Sequence, residues 1–180
     1  MKTLPIITYP KGILKKKAEK VLVRQSADSS DIDKLVAQMK ETMKEADGIG
    51  LAAPQVNLSK RIIVVDHIQY RIEKQKEENI SAFLNPRIVQ KSKKQETDEE
   101  GCLSLPGLYI PIKRSAKIEL TAQTPDGEEV HLKAQGLAAR ILQHEVDHLN
   151  GKLIIDRINP FKRLKLRHEL REIAKHSKSV

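Results

Sequence analysis

The sequence contains one cysteine, no tryptophan and few aromatic side chains, which make up 3% of its 180 residues. The lone cysteine, Cys102, excludes an internal disulfide. Because tryptophan is absent and other aromatic residues are few, the core must be built mainly from isoleucine, leucine, valine and alanine. No apolar run approaches the ~20 residues of a transmembrane helix. The first residues also lack the apolar stretch and small-residue cleavage site of a secretory signal. These absences predict a cytoplasmic protein with no membrane partner.

A chain of this length can bury one core, so we expect a single domain over residues 1–180. Apolar residues recur at helical spacing over residues 31–46 and from Leu137 to the stop at Asn150-Gly151. Asn159-Pro160 opens a basic C-terminal helix and tail over residues 159–180. Strand-like segments are 6–9 (a strand or an extended entry), 61–66, 81–89 (interrupted at Asn85-Pro86), 117–123 and 128–134. The polar segment 67–79 is typical of a loop or hairpin tip. This order of elements predicts an α+β fold.

Positive charge is in excess, and the net charge is +9. The basic residues concentrate over residues 11–20 and 157–178. This excess would suit a polyanionic neighbour such as nucleic acid or a ribosome, or it would simply form two faces exposed to solvent. Composition alone leaves both interpretations open.

Residues 143–148 contain the pattern His-Glu-x-x-His. Residues four apart lie on one face of a helix, so His144 and His148 can bind a single metal ion. Glu145 lies beside the first of them, where its carboxylate can act on a water at the metal. Leu137 and Ile141 share the face of the two histidines, and we expect them to form a pocket for an apolar side chain.

Such a site needs a third ligand, and Cys102 is the best candidate. A closed structural zinc site usually contains several cysteines, so this chain favours an open catalytic site with three protein ligands. Gly101 relieves crowding where the loop would reach the metal. His67, His131 and His168 are alternatives, although none of them lies in as suggestive a loop.

Three segments together resemble the peptide deformylases of the bacterial type. They are residues 48–55 (Gly-Ile-Gly-Leu-Ala-Ala-Pro-Gln), 100–104 (Glu-Gly-Cys-Leu-Ser) and 143–148 (Gln-His-Glu-Val-Asp-His). The resemblance extends from Tyr9-Pro10 through the basic C-terminal helix. It implies mixed or antiparallel β-sheets wrapped around a central metal-binding helix. The implied reaction removes the N-formyl group from nascent chains that begin with formyl-methionine and releases formate.

The resemblance further implies that Cys102, His144 and His148 hold one metal ion. This ion is ferrous iron in most members, and zinc, nickel or cobalt can replace it. The C-terminal helix resembles an extension with which bacterial members dock on the ribosome near the tunnel exit. A monomer is expected.

The remaining implied roles concern the reaction and the substrate. Gln55 and the backbone N–H of Leu103 would stabilise an oxyanion, and Glu145 would be the general acid and base. Backbone groups would hold the substrate peptide in extended form at three positions, Ile49, Gly50 and Gly101.

Two other interpretations stay open at the level of sequence. One is a metallopeptidase whose third ligand is a downstream histidine or glutamate. The other is a basic RNA-binding protein with a structural metal. Release of formate from a formyl-methionyl peptide distinguishes a deformylase from both.

Overall fold

The computed structural model describes residues 2–22, 29–66 and 80–177. The predicted loop at 67–79 therefore lies outside the described residues, as does the end of the tail. The described helices are α1 (Ser29–Glu45), α2 (Gly136–Leu149), α3 (Pro160–Lys165) and α4 (Arg167–His176). Short 3-10 helices span Gly12–Lys15, Ala53–Val56 and Ile154–Asp156. The described strands are β1 (Gly50–Ala52), β2 (Ile62–Asp66), β3 (Ile80–Lys91), β4 (Gln95–Cys102), β5 (Leu105–Ser115), β6 (Lys117–Gln123) and β7 (Glu129–Gln135).

The strands that the structure describes form two antiparallel sheets. One has the order β1-β2-β3-β6-β7, and the other is the β4-β5 hairpin. The predicted hairpin at 117–134 is confirmed as β6 and β7, joined by the turn at Thr124–Gly127. Residues 6–9 form neither a helix nor a strand, and the Ile7 N–H donates to the Gln55 carbonyl at 2.7 Å.

The predicted interruption at Asn85-Pro86 is wrong, because β3 continues through it. The strand absorbs the proline in an irregularity of register between Leu84 and Arg87, with Asn85 at a φ of 52°. The Asn85 side chain then donates to the Val21 carbonyl at 2.8 Å and to Gln123 at 2.9 Å. A bulge thus replaces the expected end of the strand.

The helix α2 lies centrally, in contact with both sheets. Its apolar face packs with the five-stranded sheet in a cluster that includes Ile141, Val146, Phe83 and Leu120. A second cluster joins α1 to β1 and β2, and Met39 and Met43 are fully buried there. The α+β prediction, with sheets around a central helix, is confirmed.

The C-terminal region contains two helices, whereas one was predicted. α3 begins at Pro160 after Asn159, whose side chain accepts from the Lys162 N–H at 2.8 Å. The chain leaves helical geometry at Leu166 and continues as α4. Leu170 and Ile173 anchor α4 in the core beside β5. Among the described residues, no helix is long and apolar enough to cross a bilayer.

Candidate metal centre

Three side chains from two elements converge at one end of the cleft. Cys102 ends β4, while His144 and His148 lie one turn apart on α2. The Cys102 Sγ is 3.3 Å from His148 Nε2, and the two histidine Nε2 atoms are 3.1 Å apart. The ligand atoms of all three residues lie within 4.8 Å of one another. Of the alternative third ligands, His131 pairs with Glu119 on the sheet and His67 lies outside the described residues.

These distances suit a metal ion. Nitrogen ligands about 2.1 Å from a tetrahedral ion lie about 3.4 Å apart, close to the observed spacing. Glu100 orients one ligand, because His144 Nδ1 donates to Glu100 Oε2 at 2.9 Å and Nε2 thereby faces Cys102 and His148. A thiolate with two imidazoles is a donor set that binds several divalent transition metals.

Glu145 is buried against the same cleft, with 4% of its surface exposed. Among the described residues, its Oε2 atom has no hydrogen-bond partner. Burial outweighs the opposing charge of His144 and, together with the nearby charge of Glu100, raises the pKa of Glu145 to about 7. The carboxyl can therefore accept and donate a proton near neutral pH.

Burial also acts on the pKa values of both histidines. It opposes charge on His144, but contacts with Cys102 and Glu100 raise the pKa of His144 well above its ordinary value. Burial and the charge of His144 lower the pKa of His148 well below its ordinary value.

Gln55 is held with its amide nitrogen toward the site. Its Oε1 accepts from the Ala52 N–H at 2.8 Å, so its Nε2 is the end that points toward Ser104 Oγ at 3.4 Å and Cys102 Sγ at 3.7 Å. The side chain is only 1% exposed. This arrangement provides an oriented, uncharged donor beside the metal ligands.

A cleft of about 380 Å³ opens beside these groups. Its lining includes Ile49, Gly50, Gly101, Leu137 and Ile141, so the structure brings all five predicted substrate residues to one cavity. The side chains of Ile49 and Leu137 are 42% and 44% exposed, as expected for apolar walls that are open to solvent.

Charged residues that sequence reasoning missed lie directly behind the ligands. Glu100 accepts both Nε and Nη2 of Arg114 at 2.9 Å and Nη1 of Arg140 at 2.7 Å. Arg114 also donates to Asp147, which pairs in addition with Arg157. Charge ordinarily signals exposure, so only the position of Glu100 in the cysteine motif could have indicated this buried network. Arg140 belongs to this network as well.

Two histidines on one helix, a thiolate from a facing hairpin and a buried carboxylate at an open cleft define a metallohydrolase type of centre. A profile of the polypeptide deformylase family matches residues 3–164. A peptide deformylase of Thermodesulfovibrio yellowstonii is 44% identical over 163 residues, 91% of this chain and 93% of that protein. One of Cellvibrio japonicus is 42% identical over 180 residues, 100% of this chain and 99% of that protein.

Solved structures give the same result. The chain superposes on peptide deformylase from Plasmodium falciparum with a TM-score of 0.86, at 38% identity and 98% coverage of each chain. Peptide deformylase from Thermotoga maritima gives 0.79 at 39% identity, covering 89% of this chain and all of that one. The chain therefore belongs to the polypeptide deformylase family, and it is a hydrolase that removes the N-formyl group from nascent polypeptides.

Proposed function

We propose that this chain hydrolyses the formamide of N-formylmethionyl nascent peptides at a centre formed by Cys102, His144 and His148. The observation that carries the proposal is the convergence of their ligand atoms beside a carboxylate oxygen, Glu145 Oε2, that has no partner among the described residues. We propose ferrous iron as the ion, one per chain, with zinc, nickel or cobalt able to replace it. When bound, the ion would act as a Lewis acid and lower the pKa of a water toward neutrality.

Glu145 is proposed to move the proton. A carboxyl with a pKa of about 7 takes a proton from the attacking water and returns it to the leaving amine nitrogen. Its burial keeps bulk water from competing for its free oxygen. One carboxylate thus serves both steps of amide hydrolysis.

Gln55 and the backbone N–H of Leu103 are proposed to stabilise the oxyanion. The hydrogen bond from Ala52 fixes the Gln55 amide before substrate arrives, so little reorganisation accompanies the reaction. A preorganised donor of this kind contributes about 3 kcal/mol to transition-state stabilisation.

The substrate peptide is proposed to lie extended along the outer edge of β1. Ala52 donates its N–H to Gln55, away from β2, and strand alternation places the backbone groups of Gly50 on the same side. Ile49 differs, because its carbonyl accepts from the Asp66 N–H at 3.0 Å and is directed toward β2. We therefore assign backbone recognition to Gly50 with Gly101 across the cleft, and apolar contact to Ile49, Leu137 and Ile141.

The direct test is a formate-release assay with formyl-Met-Ala-Ser on protein purified anaerobically with ferrous iron. We expect formate from this peptide, none from acetyl-Met-Ala-Ser and no cleavage of unformylated Met-Ala-Ser. Cleavage of internal peptide bonds would instead support a metallopeptidase. Metal analysis of the same preparation identifies the ion.

Ribosome docking is the proposed means of reaching nascent chains. Residues 11–20 and 150–177 hold thirteen basic and four acidic residues, a net charge of +9 that equals that of the whole chain. The fold brings the two segments together, since the Ala18 N–H donates to the Leu149 carbonyl at 2.9 Å and Lys15 pairs with Asp156. Such a face suits rRNA phosphates in a salt-dependent manner. We also propose a cytoplasmic, monomeric enzyme with one domain over residues 1–180.

Substitutions test docking better than deletion, because Leu170 and Ile173 belong to the core. The double variant Lys162→Glu/Lys165→Glu changes exposed residues of α3 and should weaken co-sedimentation with ribosomes while short peptides are still deformylated. Lys34→Glu/Lys44→Glu on α1 is the control of matched charge. Equal sedimentation of both variants would contradict docking through the C-terminal helices.

A further inference from the structure

Arg114 joins the two elements that supply the metal ligands. It lies on β5, paired in register with Glu96, and its side chain is 4% exposed. The guanidinium donates to both oxygens of Glu100, two residues before Cys102 on β4. It also donates to Asp147, which precedes His148 on α2. One side chain therefore connects the strand of the thiolate with the helix of the imidazoles.

The connection extends directly to a ligand. Glu100 Oε2 accepts from His144 Nδ1 as well as from Arg114 Nη2, both at 2.9 Å. Rotation of Glu100 would therefore release His144 and Arg114 together. Planar, bidentate geometry makes the position of Glu100 more exact than a single ammonium contact would, because two parallel hydrogen bonds fix both oxygens.

Cys102 needs such a constraint because its hairpin is a sheet of its own. Within the described residues, β4 pairs with β5 and with no strand of the larger sheet. Strand pairing therefore does not set the distance between Cys102 and α2. Side chains contribute to it, and the Glu100–Arg114–Asp147 bridge is buried between the hairpin and the helix, beside the bond from Arg140 of α2 to Glu100.

We propose that Arg114 is a positioning residue that sets the spacing between the thiolate ligand and the two imidazole ligands. This inference rests on the metal centre proposed above. It assigns to Arg114 no contact with the substrate or the reacting atoms. Its effect is on metal affinity and on the environment of the Cys102 thiolate.

Two variants break the bridge at different points. Asp147→Asn removes a charge partner of Arg114 on α2 but keeps every contact of Glu100. Arg114→Lys keeps the positive charge but loses the fork that binds both oxygens of Glu100. Arg157→Gln is the matched control, because it removes the other cation bound to Asp147 and leaves the strand-to-helix bridge intact.

The readout is Co²⁺ affinity by chelator competition, together with the thiolate-to-cobalt absorption band. We expect Asp147→Asn and Arg114→Lys to weaken Co²⁺ binding by about 10- to 100-fold and to shift the band. Arg157→Gln should leave both unchanged. Circular dichroism verifies folding, and Asp147→Asn is expected to fold even where Arg114→Lys does not.

Other outcomes overturn the proposal. If Arg114 had only a structural role, its substitution would lower resistance to unfolding, while the folded variants would keep the original Co²⁺ affinity and absorption band. Equal weakening by Arg157→Gln would show that the loss of any Asp147 partner suffices. Absence of the thiolate band in the unsubstituted protein would instead refute the metal centre itself, so the two failures are distinguishable.

Discussion

Replacing Gly50 with alanine tests how closely β1 approaches the catalytic carboxylate. A Cβ at this position would lie 2.4 Å from Glu145 Oε1 and 2.9 Å from its Cδ. Real Cβ atoms essentially never come closer than 3.0 Å to another heavy atom, and ordinary contact begins at 3.4 Å. The Glu145 carboxylate must therefore move by about 1 Å, because it is the free end of a side chain while β1 is held by β2.

The expected loss of activity follows from this displacement of the Glu145 carboxylate. A misplacement of about 1 Å can reduce a rate about 10²-fold, which corresponds to about 2.7 kcal/mol of activation free energy. Gly50→Ala should therefore lower kcat/KM for formyl-Met-Ala-Ser by about two orders of magnitude. Metal content should stay unchanged, since the added methyl group is directed at Glu145 and the three ligands keep their positions.

The control is Gly12→Ala. A Cβ added at Gly12 meets no described atom within 4 Å, so the same chemical change is made without a clash. Its activity should match that of the unsubstituted enzyme. Full activity in a folded, metal-loaded Gly50→Ala variant would refute the assignment of Glu145 to the reaction. Loss of metal from that variant would show that the ligands, and not Glu145, respond to the methyl group.

Three further outcomes are expected. Glu145→Gln should keep its metal by elemental analysis but lose about 10²- to 10⁴-fold in turnover, because the amide cannot carry the proton; metal loss would contradict that role. Cys102→Ala should remain folded but lose metal on dialysis against a weak chelator, and full retention would exclude the thiolate as a ligand. The third concerns pH. Burial raises the pKa of Glu100, but hydrogen bonds from Arg114 and His144 outweigh it and lower the value from 4.5 to about 2. The resulting stabilisation, on the order of 3 kcal/mol, is present above pH 4.5 and is lost as pH falls toward 2. Denaturant unfolding of chelated protein should show this acid dependence, and Glu100→Gln should reduce it.

Periodic apolar patterns predicted the elements that pack one face on a core. The first helix was predicted at 31–46 and lies at Ser29–Glu45, where Ile32, Val36, Met39 and Met43 form its buried face. The second was predicted to start near Leu137 and to stop at Asn150-Gly151, and it lies at Gly136–Leu149. In α1 the opposite face meets solvent, whereas α2 is buried on nearly all sides and its second face is polar. The candidate metal ligands were proposed from the His-Glu-x-x-His spacing and the loop around Cys102, and the structure brings their ligand atoms together.

The β4-β5 hairpin could not be predicted in this manner. Of the first six residues of β4 only Glu100 is buried, so the apolar alternation that marks a strand is absent. Glu100 faces inward because Arg114, Arg140 and His144 surround it, and such tertiary partners leave no local pattern. The break at Leu166 was also unpredictable, since no glycine or proline marks it.

The close approach of the cleft walls bears on how the centre could select a formyl group. A Cβ at Gly48 would lie 2.9 Å from Leu103 Cδ1, and one at Gly101 would lie 2.8 Å from the Tyr109 ring. Gly48, Gly50 and Gly101, on both sides of the cleft, therefore all lie close against side chains. A formyl group places only a hydrogen beside its carbonyl carbon, whereas an acetyl group places a methyl there. We infer that a methyl group beside the carbonyl carbon would meet these walls, so acetyl-Met-Ala-Ser should be hydrolysed far more slowly than formyl-Met-Ala-Ser.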